Sequence, residues 1–151
     1  MLFTGSVKQI SLVRLARGED LWEALQRLAR ERGVRCGWVQ FIGAVERAII
    51  SYYQQEERRY ARLELLRPLE IAAGQGNVSL KEGVPFVHAH LCLADAAGRV
   101  FGGHLEPGTV VFAVEVLLQE VETASAPVRS YDAETGLFLW PPLLDKDGRL
   151  C

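Results

Sequence analysis

The segment 86–105 constrains the fold more than any other part of this sequence, because it has the pattern of two strands joined by a tight turn. In residues 86–94, apolar side chains recur at every second position, as in a strand with one face against a core. Asp95 and Gly98 suit the first and last positions of a type I turn. Such a turn predicts that Asp95 pairs with Arg99 across an antiparallel hairpin.

All three histidines of the chain lie in this hairpin, at His88, His90 and His104. The predicted register places His90 opposite His104, and His88 shares their face because residues two apart on a strand point to the same side. Opposed β-carbons are about 5 Å apart. Three neutral imidazoles so placed are suited to a divalent transition metal, with zinc as the first expectation.

Two further side chains fall on the same face in this register, with Cys92 opposite Gly102 and Glu106 opposite His88. Either could complete a metal site or orient its ligands from a second layer. A buried, unreactive thiol is the simpler reading of Cys92. A metal-free polar or proton-transfer cluster, or no role at all, are the alternatives for the histidines.

One other segment has a clear helical pattern. Asp20 can cap a helix, apolar residues including Leu21, Leu25 and Leu28 follow at helical spacing, and Gly33 suits the exit. The helix is therefore predicted to cover one face of a sheet.

The remaining apolar runs predict strands, with Gly43 marking a bulge or bend. They span residues 7–15, 34–42, 44–53, 60–66, 100–105 and 109–121, with short runs at 69–73 and 78–80. Residues 74–77 between the short runs have the composition of a turn, and the tail from Trp140 is predicted to be irregular. The predicted fold class is α+β, a largely antiparallel sheet covered by one main helix.

Composition places the chain among cytoplasmic proteins with one domain, spanning residues 1–151. Apolar runs fall short of the roughly 20 residues that span a bilayer, and residues 1–5 lack a signal-peptide pattern. Cys36, Cys92 and Cys151 are too few for a disulfide framework. The net charge of −2 argues against nucleic-acid binding by bulk electrostatics, and the arginines 58, 59 and 62 around Tyr60 favour a solvated strand face over an anion or nucleic-acid contact.

Several short motifs occur in a characteristic order. They are Gly18–Leu21, Ile42–Val45, Leu69–Ile71 leading to Gly76–Val78, Phe86–His90, Gly102–Leu105 and Val114–Val116. In this order and spacing the chain resembles the PPC family, the domain conserved in plants and prokaryotes, over roughly residues 7–122.

The resemblance implies a trimeric α+β domain. Prokaryotic members share the paired histidines and the glycine-glycine-histidine, which implies a metal at His88, His90 and His104. Plant members are described as DNA-binding and include AT-hook proteins, but no arginine-glycine-arginine-proline type of segment occurs in this chain.

Two classes of function follow. The first is a regulatory module, DNA-binding by family resemblance and carrying a three-histidine metal site, in which the apolar run 109–121 favours a homotrimer. The second is a metal-dependent enzyme of hydrolase or lyase type, with Glu106 or another carboxylate as general base. A metal that serves stability alone is a third possibility.

Overall fold

The computed structural model describes residues 2–142, which contain one helix and nine strands. The helix is α1 (Leu21–Glu31). The strands are β1 (Gly5–Leu15), β2 (Gly37–Gln54), β3 (Arg59–Leu65), β4 (Leu69–Lys81), β5 (Val84–Ala94), β6 (Val100–Leu105), β7 (Val110–Thr123), β8 (Val128–Asp132) and β9 (Leu137–Leu139). The predicted fold class, a mostly antiparallel sheet with one helix, is confirmed.

Neighbouring strands in the sheet are hydrogen-bonded in the order β1-β7-β2-β6-β5-β4-β8-β9, and β3 pairs with β2. The long strand β2 also pairs with β4, so β2, β6, β5 and β4 form a closed ring of antiparallel pairings. A parallel pairing joins β4 to β8 at Leu80 and Val128. The bend predicted at Gly43 is found, because the register against β4 shifts between Phe41 and Gly43, where the glycine has φ of 134°.

The helix begins and ends where the sequence predicts. The Asp20 side chain accepts a hydrogen bond from the Glu23 N–H at 3.0 Å, and Gly33 has φ of 65° just beyond the end. Leu21 and Leu25 are buried in the core beneath the helix. Within residues 2–142, no helix has the length and apolar character needed to cross a membrane.

The prediction of a turn at residues 74–77 is wrong, since β4 runs through it without interruption. Gly74 lies against the buried Phe41 ring, and a β-carbon there would stand 2.0 Å from the ring. A β-carbon on Gly76 would stand 2.3 Å from the His88 carbonyl oxygen. These glycines therefore permit close packing inside the sheet, a role that local composition does not distinguish from turn formation.

The sequence patterns also missed two short strands, β8 and β9. Arg129 lies on β8 and is buried, although the strand itself is mostly exposed. The tail predicted to be irregular from Trp140 is irregular over residues 140–142. The rest of that tail, including Cys151, lies outside the described residues.

A buried glutamine on α1 supports the strand that carries the paired histidines. Strand β6 pairs with β5 only from His90 onward, and beyond Leu105 the Glu106 N–H donates to the Ile49 carbonyl on β2 instead. The Gln26 side-chain amide pairs with the edge of β5 that β6 leaves free. It donates to the Val87 carbonyl at 2.7 Å and accepts from the Val87 N–H at 2.9 Å. One side chain thus satisfies both backbone groups of the residue before His88.

We expect Gln26→Leu to lower the free energy of unfolding by about 2–5 kcal/mol, since it leaves a buried N–H and a buried carbonyl without partners. Urea unfolding followed by circular dichroism measures the loss. Arg30→Leu, on an exposed position of the same helix, is the control and should change stability by less than about 0.5 kcal/mol. Equal stability of the two variants would contradict the role given to Gln26.

Candidate metal centre

The turn that joins β5 and β6 has the predicted geometry. The Gly98 N–H donates to the Asp95 carbonyl at 2.8 Å, the Asp95 N–H donates to the Arg99 carbonyl at 3.0 Å, and Gly98 has φ of 74°. The Asp95 carboxylate also accepts from the Ala97 and Arg99 N–H groups. The turn therefore fixes the register of the hairpin.

In this register His90 lies opposite His104, as predicted. His88, two residues earlier on β5, projects on the same side, and one ring nitrogen from each of the three side chains lies within 4.8 Å of the others. The Nε2 atoms of His88 and His90 are 3.3 Å apart, and the ring centroids of the three are 4.9–5.3 Å apart. The three imidazoles form one cluster; their role as metal ligands stays a prediction.

The surroundings favour the neutral form of these imidazoles. Burial, followed by the proximity of His104, Arg129 and His90, lowers the pKa of His88 from its ordinary value of 6.5 to about 3. Burial also lowers the pKa of His90. For His104, burial lowers the pKa against an opposing effect of the Glu106 carboxylate. A neutral imidazole is the form that binds a metal ion.

The cluster fits a metal ion on two observations. The Nδ1 atom of His104 is buried and has no hydrogen-bond partner within the described part of the chain, which is unusual for a polar atom. Two nitrogens on a tetrahedral zinc with bonds of about 2.0–2.1 Å are about 3.4 Å apart. The 3.3 Å between His88 and His90 is close to that separation, so these two imidazoles already have the spacing of two ligands of one ion.

The two additional residues expected at the site, Cys92 and Glu106, differ from their expected surroundings. Cys92 faces Gly102 as predicted, but its side chain is exposed, so the expectation of a buried thiol is wrong for this chain. Glu106 does not lie opposite His88, because β6 ends at Leu105 and the chain turns toward β2. Its carboxylate accepts a hydrogen bond from the Ser51 hydroxyl at 2.6 Å. Neither residue joins the group of ligand atoms formed by the three histidines.

Sequence reasoning missed two neighbours of the cluster, Tyr60 and Arg129. The Tyr60 ring lies 5.3 Å from the His104 ring, and burial raises the pKa of its hydroxyl. Arg129 is close enough for its charge to lower the pKa of His88. Tyr60 lies on β3, which forms a hairpin with β2, and the sequence predicted both strands but not their position beside the histidines. Arg129 is placed by the pairing of β4 with β8, which are far apart in the chain, and this pairing has no local sequence signal.

The fold and the site together define a class of protein: a small α+β domain with an antiparallel sheet and a histidine cluster on one hairpin. Over residues 3–122 the chain matches the Plants and Prokaryotes Conserved (PCC) domain. The chain belongs to this family, as its motifs predicted.

Solved structures of similar sequence share the fold. A metal-containing protein from Archaeoglobus fulgidus is 41% identical, with a TM-score of 0.88, and the match covers 93% of this chain and 99% of that one. A plant- and prokaryote-conserved (PPC) protein from Pyrococcus horikoshii is 34% identical, with a TM-score of 0.86 and coverage of 94% and 96%. A Ralstonia eutropha protein, provisionally described as DNA-binding, is 25% identical, with a TM-score of 0.76 and coverage of 86% and 89%.

A curated relative is the bifunctional protein GlmU from Synechococcus sp. (strain JA-3-3Ab). It is 36% identical over 119 residues, which are 78% of this chain. The match covers only 18% of the length of that protein. A segment similar to this chain therefore occurs within a much longer protein.

The depressed histidine pKa values predict a pH-dependent stability of the metal-free protein. Below pH 6.5 the unfolded chain takes up protons at His88 that the folded protein does not accept until about pH 3. The stability associated with neutral His88 is therefore present above pH 6.5 and is lost as the pH falls toward 3.

We expect urea unfolding of the chelator-treated protein to show a lower free energy of unfolding at pH 5 than at pH 7.5. His88→Asn should reduce the difference between the two pH values, because it removes the strongest of these shifts. An unchanged difference in this variant would contradict the assignment.

Proposed function

We propose that this chain is a PCC-domain module that binds a divalent transition metal through His88, His90 and His104. The observation that carries the proposal is the convergence of three ring nitrogens within 4.8 Å on one face of a hairpin. The similar protein from Archaeoglobus fulgidus is described as metal-containing, which supports it. Zinc is the metal proposed, because its usual protein ligands include neutral imidazole nitrogens.

The environment favours a functional site over a purely structural one. Three protein ligands leave a zinc ion one free coordination position, and in such sites the metal lowers the pKa of a bound water or polarises a carbonyl. His90 is exposed, and a cavity of about 550 Å³ lined by His90, Cys92 and Gly102 opens beside it. A small molecule could therefore reach this side of the cluster.

A metal-dependent enzyme of hydrolase or lyase type is the alternative, and it is favoured by this open side. Glu106 is the candidate for the acid–base group, since its charge acts on His104. Its carboxylate is held by the Ser51 hydroxyl, which lies opposite His104 in the β2–β6 pairing. In the binding module the Glu106 carboxylate would instead add a favourable negative charge near a metal held by His104.

The proposal is tested by the metal content of the purified protein, measured by elemental mass spectrometry. We expect a near-stoichiometric transition metal in the native chain and none in the triple variant His88→Ala/His90→Ala/His104→Ala. Added zinc should raise the melting temperature of the chelator-treated native protein and leave that of the triple variant unchanged.

Cys92→Ser is the matched control, because this exposed thiol shares the hairpin but lies outside the ligand group. It should retain the metal. If neither the native protein nor the control held metal after incubation with zinc, the metal-binding module and the metalloenzyme would both be excluded.

We also propose that the domain forms a homotrimer in the cytoplasm. The outer face of β1 and β2 exposes Ile10, Leu12, Trp38 and Ile42, with fractional exposures of 40–79%. The pairings of β7 with both strands place these side chains on one continuous face. An apolar face of this kind favours burial against other copies of the chain. The free thiols of Cys36 and Cys92 are consistent with a reducing compartment.

A regulatory module that binds DNA is the second candidate, favoured by the description of the similar protein from Ralstonia eutropha and by exposed arginines on and beside β3. This role predicts that affinity for duplex DNA falls steeply between 50 and 200 mM salt, measured by fluorescence anisotropy. The variant Arg59→Ser/Arg62→Ser should weaken the binding and flatten its salt dependence. No binding at the lower salt concentration would exclude DNA as a partner, in line with the net charge of −2.

A further inference from the structure

A second, smaller cavity lies beside the histidine cluster, where β4, β5, β8 and β9 meet. Its volume is about 240 Å³. Two cationic side chains line it, Lys81 and Arg129, and no described residue of its lining is a carboxylate. The lining also includes Tyr60, Phe86 and Phe138, and two of the three clustered histidines, His88 and His104.

Arg129 is a buried cation held only by neutral groups. Its side chain donates to the Ser79 hydroxyl at 2.9 Å, the Asn77 side-chain oxygen at 2.7 Å and the Phe138 carbonyl at 3.0 Å. The residue is 8% exposed, and within residues 2–142 no carboxylate lies within ion-pair distance of it. A guanidinium has five N–H donors, so these three bonds fix its orientation and leave donors available.

Lys81 adds a second positive charge to the same cavity. Its ammonium lies 4.4 Å from the centroid of the Phe138 ring and 5.3 Å from that of Phe86. The described acidic residues make no ion pair with it. Aromatic rings attract such a cation but do not neutralise its charge.

Two cations at one partly buried site are costly unless an anion compensates them. A fixed guanidinium suits a carboxylate, which it can bind through two parallel hydrogen bonds. The aromatic walls suit an apolar or planar body. The volume of 240 Å³ corresponds to about eight waters at about 30 Å³ each, the size of a small organic molecule.

We propose that this cavity binds a small organic carboxylate, with its anionic end between Arg129 and Lys81 and its apolar body against the aromatic side chains of the lining. The site adjoins the proposed metal centre at His88 and His104, but it is argued from the two cations and the aromatic walls alone. The inference therefore adds a ligand class to the domain without requiring the metal.

Isothermal titration calorimetry on the chelator-treated full chain tests the inference with benzoate, with benzamide as its uncharged counterpart, and with inorganic phosphate. We expect saturable binding of benzoate. Benzamide should bind at least about tenfold more weakly because it lacks the charge-assisted contact, and phosphate should do so because it has no apolar body to contact the aromatic walls. Lys81→Met should weaken benzoate about tenfold without lowering the melting temperature. Arg129→Lys keeps the charge but loses the two parallel N–H donors of the guanidinium, and should also weaken the binding of benzoate.

Benzamide binding as tightly as benzoate, no binding of benzoate, or an unchanged affinity in Lys81→Met would overturn the inference. Tight phosphate without benzoate would overturn the carboxylate class. If benzoate bound only to the zinc-loaded protein and was indifferent to Lys81, the anion would be a metal ligand; the inference would fall while the metal centre stood. If benzoate bound to a protein that could not hold zinc, the carboxylate site would stand and the proposed metal centre would fall.

Discussion

The contact between the Gln26 amide and the backbone of Val87 decides how the histidine cluster is built. Strand β6 must leave β5 beyond Leu105 so that Glu106 can bond to β2, and this departure exposes the edge of β5 just before His88. A buried edge without partners would be unstable. By supplying a donor and an acceptor from the helix, Gln26 lets β5 continue straight while β6 bends away, so that Glu106 and Ser51 approach His104 from the side of β2.

The parts of the site that the sequence predicts are those set by local chemistry. The register of His90 against His104 follows from a four-residue turn, and the helix start follows from one capping aspartate. The continuity of β4 through Gly74 could not be predicted, because it depends on the Phe41 ring of another strand. Arg129 was missed for the same reason: its strand is short and its partners on β4 lie about 50 residues earlier in the chain.

The charges around the cluster differ between its two strands. Arg129 and the neighbouring imidazoles disfavour a proton on His88, while Glu106 acts only on the side of His104. An ion with two positive charges would meet the same repulsion from Arg129 unless an anion were close by. The cation-lined cavity and the histidine cluster therefore fit together electrostatically, since an anion in the first would ease the binding of a metal in the second.

The length of the turn between β5 and β6 bears on how such a domain can change over evolution. Side chains alternate faces along a strand, so inserting or deleting one residue there would rotate His104 into the core, whereas a change of two would return it to the same side. Without a compensating bulge, only insertions or deletions of an even number of residues in this turn preserve the cluster. A lineage could thus abolish the site in a single insertion while leaving the helix and the other strands intact, and the loop is the simplest place to switch the site off by design.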